Sequence, residues 1–263
     1  MSLTAAGKTS TQTTLTDNTK PKVIIREARI RDAWQIGYLS ATTYLGTDLF
    51  KYLTPKAEEH FGAYLLNNRV RAINRVLNHR NITFVAVEET NPGRAVGYTI
   101  LTRLGDDEGA QRQIASRKRW WLTLAAWIWS YFMPLITKLY TGKADDPEHI
   151  AEFLRVADLE EKTHFASRPE LANRWYVQSC VVSKEFQGRK IGKALMGEVT
   201  KRAQAEGVCV GLEASAPGEM MYRSVGFELI ARFQPLKGMD YGAEHKGEAG
   251  GVMIWKPEGW KYD

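Results

Sequence analysis

The chain has 263 residues, 44% of them apolar and 25% charged, which provides for a substantial core and excludes global disorder. Its formal net charge is +6, a balance that favours anionic partners such as a polyphosphate. No block of like charge exceeds Arg117-Lys118-Arg119, so the basic balance does not argue for nucleic acid. The two cysteines, Cys180 and Cys209, lack metal-ligand spacing and read as small core residues in a reducing, cytoplasmic compartment.

Residues 1–20 are rich in Thr and Ser, without apolar periodicity or the basic-then-apolar pattern of a secretory signal. They read as a disordered tail, leaving 21–263 as a single domain. Val23-Ile24-Ile25 is a β-branched run that predicts a first strand. Asp32 and Gln35 have capping-box spacing, so a helix is expected from there to about Thr43. Lys56 to Leu77 carries helical apolar spacing through Phe61, Tyr64, Leu65, Val70, Ile73 and Leu77. Ile82–Val87 and Ala95–Leu101 predict two strands of a hairpin, with Asn91-Pro92-Gly93 inside a loop of several residues.

The region from about 105 to 172 breaks this alternation and reads as a helical insertion. From Trp120 to Ile136 there is no charge, and the stretch holds Trp120, Trp121, Trp127 and Trp129. A membrane-spanning helix needs ~20 apolar residues, and this shorter run is interrupted by Pro134. An interfacial membrane helix covering 117–140 fits the tryptophans and the basic flank. A helical lid or dimer element packed on the domain is preferred, because short apolar runs are more often buried than lipid-bound.

Trp175–Val182 predicts a further strand, and Ala194–Glu206 a helix ended by Gly207. Between them lies Gln187-Gly188-Arg189-Lys190-Ile191-Gly192-Lys193. Strand, glycine-bearing turn and helix N-terminus form an anion site, because the first helical N–H groups have no intrahelical partner. The spacing is neither the dinucleotide G-x-G-x-x-G nor the Walker G-x-x-x-x-G-K-S/T. Val208–Leu212 predicts the next strand.

Gln187 through Gly192 resembles the Q/R-x-x-G-x-G/A pyrophosphate motif of the GNAT acyltransferase superfamily. Downstream, Glu213 through Phe227, with Tyr222 followed by Gly226-Phe227, is similar to that family's second signature. The resemblance covers roughly 23–103 and 174–256. It departs at Lys190, which stands where the family has its first motif glycine. It implies an α/β (α+β) fold: a mixed, mostly antiparallel twisted sheet flanked by helices, split between the fourth and fifth strands. It also implies acetyl-CoA as co-substrate, no metal, and direct acetyl transfer to an amine in a ternary complex.

Carried over residue by residue, it places Val181 and Val182 against the pantetheine arm. Gln187, Gly188, Arg189, Lys190, Ile191, Gly192 and Lys193 line the pyrophosphate. Ser215 and Gly218 lie near the cofactor, and Tyr222 beside the leaving thiolate as a proton donor. The amine must lose a proton before attack, yet Trp175–Val182 holds neither acid nor histidine. Asp48, Glu160, Glu161, His164 and Glu213 are candidate bases, a water chain is another route, and the base stays unassigned. The expected acceptor is a small metabolite or xenobiotic amine, since an aromatic wall from the insertion suits one. A protein lysine or N-terminus is the alternative enzyme reading, and a non-catalytic CoA-binding module at a membrane surface is the rival of another class. A homodimer is compatible with the sequence.

Overall fold

The computed structural model describes residues 13–15, 21–118, 120–140, 142–239 and 250–261. Its centre is one eight-stranded sheet in the order β1-β2-β3-β4-β5-β6-β8-β7. The strands are β1 (Thr13–Leu15), β2 (Val23–Glu27), β3 (Asn81–Glu88), β4 (Asn91–Leu104), β5 (Arg174–Val182), β6 (Cys209–Ala214), β7 (Glu228–Arg232) and β8 (Gly251–Trp255). All neighbouring pairs are antiparallel except β5–β6. The helices are α1 (Asp32–Tyr44), α2 (Asp48–Leu53), α3 (Phe61–Leu77), α4 (Glu108–Arg117), α5 (Trp120–Tyr140), α6 (Pro147–Glu161), α7 (Ile191–Glu206) and α8 (Ala216–Arg223).

The two faces of the sheet bury different cores. On one, Ile25, Phe84, Leu101, Trp175 and Val177 meet Ile191, Leu195, Met196, Val199 and Ala203 of α7. On the other, Val85, Val87, Tyr98, Ile100 and Val181 meet Ala33, Ile36, Ala72 and Val76 of α1 and α3. Leu195 is fully buried, and truncating such a side chain costs about 2–5 kcal/mol. Gly37 lets α1 and α3 cross closely, because a Cβ there would lie 2.5 Å from the Arg69 Cα.

Several local expectations are corrected. Asp32 is not a helix cap: Arg31 occupies that position, and Asp32 sits in the first turn with its carboxylate turned backwards. It accepts from Arg26 at 2.7 and 3.0 Å and from the Arg29 N–H at 2.6 Å. The β3–β4 hairpin closes tightly, with Glu88 opposite Asn91, and absorbs the misfit in bulges at Ala86–Glu88. Thr13–Leu15 pair with Val23–Ile25 as an edge strand, inside a stretch that reads as tail. The remainder of that tail lies outside the described residues.

Between β4 and β5 the chain is held by buried charge. Arg103, 0% exposed, donates to both Asp107 oxygens at 2.9 and 2.7 Å and to Glu206 at 2.9 Å. Asp107 also caps α4 through the Ala110 N–H, and the other Glu206 oxygen accepts from the Trp175 indole at 3.2 Å. The end of β4, the start of α4 and the end of α7 are thereby joined at one point.

Candidate active site

The sheet splits where its one parallel pair ends. β5 and β6 are paired only from Arg174–Val177 against Cys209–Leu212. Beyond that, Gln178–Val182 on β5 and Glu213–Ala214 on β6 are not partners, although β5 stays paired with β4 as far as Val182. Counted from Val23, these are the fourth and fifth strands. A bulge contributes to the divergence: Leu101 faces Val177 and Ile100 faces Ser179, so Gln178 is the extra residue. The bulge inverts the face alternation, so Trp175 and Val177 share the α7 side with Cys180 and Val182.

The Ser183 N–H donates to Val96 on β4. Alternation along the strand then turns the Val182 amide toward the split and the Val181 amide toward β4. The Val182 carbonyl accepts from Gln187 Nε2 at 3.1 Å. Val182 is thus placed to meet an extended ligand with its backbone, and Val181 to shape the wall.

From β5 the chain passes a short turn, Lys184–Phe186, to the glycine-bearing loop. Phe186 is buried and anchors it. Gly188 has φ +75°, and Lys190 has φ +59°, the one non-glycine among the described residues with positive φ. Lys190 therefore keeps the backbone shape of the glycine it replaces, at a strain of about 1 kcal/mol, and its side chain is exposed at the mouth. Lys190 is the N-cap of α7 and supplies no side-chain cap, so the first N–H groups of the helix face outward. Gly97 allows this end of α7 onto the sheet, since a Cβ there would approach Val181 O at 3.0 Å and Ile191 and Leu195 at 3.4 Å.

The cations of the loop are not equivalent. Lys193 is exposed, whereas Arg189 donates to Pro21 O at 2.6 Å and lies 4.9 Å from the Phe186 ring. Arg189 thus closes the loop against the chain entering β2. Gly192 has a different character: its φ is not positive, and an added Cβ would meet only Met221, at 3.7 Å. Neither strain nor packing within the chain requires glycine there.

α8 forms the opposite wall. Ser215 caps it through its carbonyl, which accepts from the Gly218 and Glu219 N–H groups, and its exposed hydroxyl makes no cap bond. Gly218 is tight, as a Cβ would sit 3.2 Å from Ser215 Oγ and 3.3 Å from the Tyr222 ring. Tyr222 is 7% exposed, packs edge-on against Phe227 with centroids 5.8 Å apart, and shares its core cluster with Cys180. Burial pushes its phenol well above the ordinary value of 10. Burial likewise raises the Cys180 thiol to about 12 and the Cys209 thiol to about 11, so both are protonated at neutral pH.

Tyr44, Tyr98 and Tyr176 are also raised, each chiefly by burial. The unfolded chain titrates its phenols near 10, so between 10 and the higher folded values the native state holds more protons. Stability is complete below pH 10 and falls as pH rises beyond it. A denaturant midpoint that drops steeply above pH 10 in circular dichroism is the expected result.

The candidate bases fall into two places. Asp48 stands alone at the start of α2, 4.0 Å from Lys51. The other four gather on the β5–β6 face away from α7, around Phe165 and Tyr176. Glu161 pairs with Arg174, and Glu160 accepts from the Gln234 N–H at 3.0 Å with His164 3.0 Å away. Glu213 follows Leu212, the last β6 residue paired with β5, and so stands at the lip of the split. Burial raises its carboxyl, a hydrogen bond with Tyr176 opposes this, and Glu160 and Glu161 raise it further. Tyr176 had no distinguishing signal in the sequence, because its role depends on the parallel register that brings β5 beside β6.

Residues 143–229 match a family model described as an acetyltransferase (GNAT) domain. Solved structures share the fold at low identity. One is described as histone acetyltransferase HPA2 and related acetyltransferase from Corynebacterium glutamicum, at 15% identity and TM-score 0.54, covering 89% of this chain and 94% of that one. Another is an agmatine N-acetyltransferase mutant, at 16% identity and TM-score 0.53, covering 89% of this chain and 99% of that one. A third is the Drosophila melanogaster polyamine N-acetyltransferase, at 16% identity and TM-score 0.53, covering 88% of this chain and 97% of that one. No curated protein sequence matches the chain. The split sheet and the uncapped helix N-terminus lie within or beside the segment that matches the acetyltransferase domain model. The matched segment holds α6, β5, the glycine-bearing loop, α7, β6 and α8, and the solved structures share the fold of the whole sheet.

Proposed function

We propose that the protein transfers acetyl from acetyl-CoA to a small, positively charged amine, by direct attack on the thioester in the β5–β6 split. The observation that carries this reading is the pairing of roles across the split. Tyr222 holds its proton on the α7 side, and Glu213 stands with Tyr176 at the opposite lip. The residues fit acetyl-CoA: Gly192 and the uncapped N–H groups of α7 leave room and positive potential for the pyrophosphate. Lys190 and Lys193 add charge beside them, the Val182 amide would meet the pantetheine arm, and the exposed Ser215 would lie near it.

In this reading the ammonium loses its proton to Glu213, and the free amine attacks the thioester carbon from the Tyr176 side. The tetrahedral intermediate expels the thiolate, which takes the Tyr222 proton, while the nitrogen releases its second proton to solvent and solvent in turn reprotonates Tyr222. The acidic and phenolic lining at Glu160, Glu213 and Tyr176 supports a cationic acceptor, as does the kind of amine named for two of the fold relatives. The experiment is release of CoA thiol from acetyl-CoA with agmatine, polyamines, aryl amines and a lysine peptide. Turnover confined to the small amines, and lowered about 10²-fold or more by Glu213→Gln, is the expected result. Turnover confined to the peptide would replace this reading with the protein-acetylating one.

Cys180 lies beside Tyr222 in the same split, so an acetyl-cysteine route must be considered. A thiol raised to about 12 is almost wholly protonated at neutral pH, and only the thiolate is nucleophilic. Cys180→Ala will therefore retain kcat within about threefold, and neither it nor the wild type will show an acyl-enzyme burst.

A further inference from the structure

α5 is apolar on every side. Its inward stripe, Leu122, Ala125, Trp129 and Met133, follows the helical period, and Trp129 donates to Asn74 of α3 at 2.6 Å. Ala125 and Trp129 border a groove with Ile30, Trp34, Ile73 and Leu77. The outward side is as apolar as the inward one. Trp120 and Tyr131 are each 78% exposed, Trp127 67%, Leu135 57% and Phe132 51%. A helix apolar all round is normally covered on every side, and an exposed contiguous apolar patch marks an interaction surface. Packing on α3 covers only one side of this one.

The charge around the helix selects the partner. From residue 109 to 144 the sequence has no Asp or Glu but holds Arg112, Arg117, Lys118, Arg119, Lys138 and Lys143; Arg112 and Arg117 are paired with Glu108 and Glu27, which leaves the lysines and Arg119 as the excess. Arg31 borders the same groove as Trp129. Tryptophan and tyrosine between flanking cations is the composition of a helix lying in the headgroup region of an anionic bilayer. No described helix is long and apolar enough to cross a membrane, so the helix would lie in the surface. At 21 residues it presents a face roughly 30 Å long, at about 1.5 Å per residue. α5 packs on α3, whose sheet face is opposite that of α7, so docking there leaves the phosphate loop open to water.

We propose that the outward face of α5 docks the enzyme on the surface of an anionic lipid bilayer. The test is sedimentation of the full chain with vesicles of phosphatidylcholine alone and of phosphatidylcholine with one quarter phosphatidylglycerol. Binding that increases at least tenfold with the anionic lipid and weakens in high salt is expected. A Trp127→Glu, Tyr131→Glu double variant should lose at least tenfold in vesicle binding, while its acetyl-CoA titration matches the wild type and shows it folded. Wild-type protein that stays in the supernatant with both vesicles would overturn the proposal. So would equal binding by the double variant. A vesicle-free dimer in sedimentation equilibrium that the same variant dissociates, without lipid binding, would assign the face to a second copy instead.

Discussion

Gly192→Glu will abolish saturable acetyl-CoA binding while leaving the protein folded. Gly192 is the second residue of α7, in ordinary helical backbone, and a Cβ there meets only Met221 at 3.7 Å. The folded chain can therefore accept the side chain. A Glu in the first turn even gains from the helix dipole and from leaving glycine's entropy cost behind, about 1 kcal/mol in all. The ligand meets the opposite situation. The same dipole and N–H groups that would attract a pyrophosphate would be occupied by a carboxylate of like sign. A loss of at least a hundredfold in affinity is expected, ~2.7 kcal/mol or more, in a calorimetric titration. Gly192→Ala separates shape from charge, and a smaller loss there assigns the remainder to repulsion. A folded wild type that shows no binding would mean the site is broken at Lys190, and the catalytic reading would fall with it.

Tyr222→Phe will lower kcat by about 10²–10⁴-fold while acetyl-CoA affinity changes little, since only proton donation to the departing thiolate is removed. The ring keeps its edge-on contact with Phe227 at 5.8 Å. The hydroxyl has no hydrogen-bond partner among the described residues, so its removal leaves no buried group unpaired and stability should hold. The wild-type pH profile carries a second expectation. A phenol held well above 10 stays protonated through the neutral and mildly alkaline range, so the alkaline decline in rate should lie above pH 10. Unchanged turnover in the Phe variant would return Tyr222 to a packing role and leave the thiolate to be protonated by solvent.

Much of the scaffold was legible because its signals are local. β-branched runs marked β2, β3 and β4, and Gly207 set the C-terminal end of α7, whose first turn begins at Ile191 rather than at the expected Ala194. The loop from Gln187 to Gly192 was visible for the same reason, since strand, glycine and helix start are contiguous in the chain. Asp32 misled because its spacing to Gln35 imitates a cap, whereas Arg26, across the turn from β2, offers the carboxylate a bidentate charged partner. The edge strand Thr13–Leu15 has no pattern of its own and exists by pairing with β2. The α5 sequence was equally compatible with lid, dimer element and surface helix, because apolar composition does not say which sides find partners.

The sequence by itself determined the succession of β2, α1, α3, β3, β4, β5, α7 and β6, the anion-receptive turn and the presence of Tyr222 ahead of Gly226-Phe227, all products of near-neighbour chemistry. Only the tertiary structure decided which groups face one another. The Gln178 bulge and the short parallel register of β5 with β6 open the split, turn the Val182 amide into it, and carry Glu213 to Tyr176. It likewise gave Lys190 a glycine's backbone and left one whole side of α5 exposed. The physical reason is range: turns and caps are settled within a few residues, while a split sheet and its electrostatics arise from contacts between distant segments, which only packing brings together.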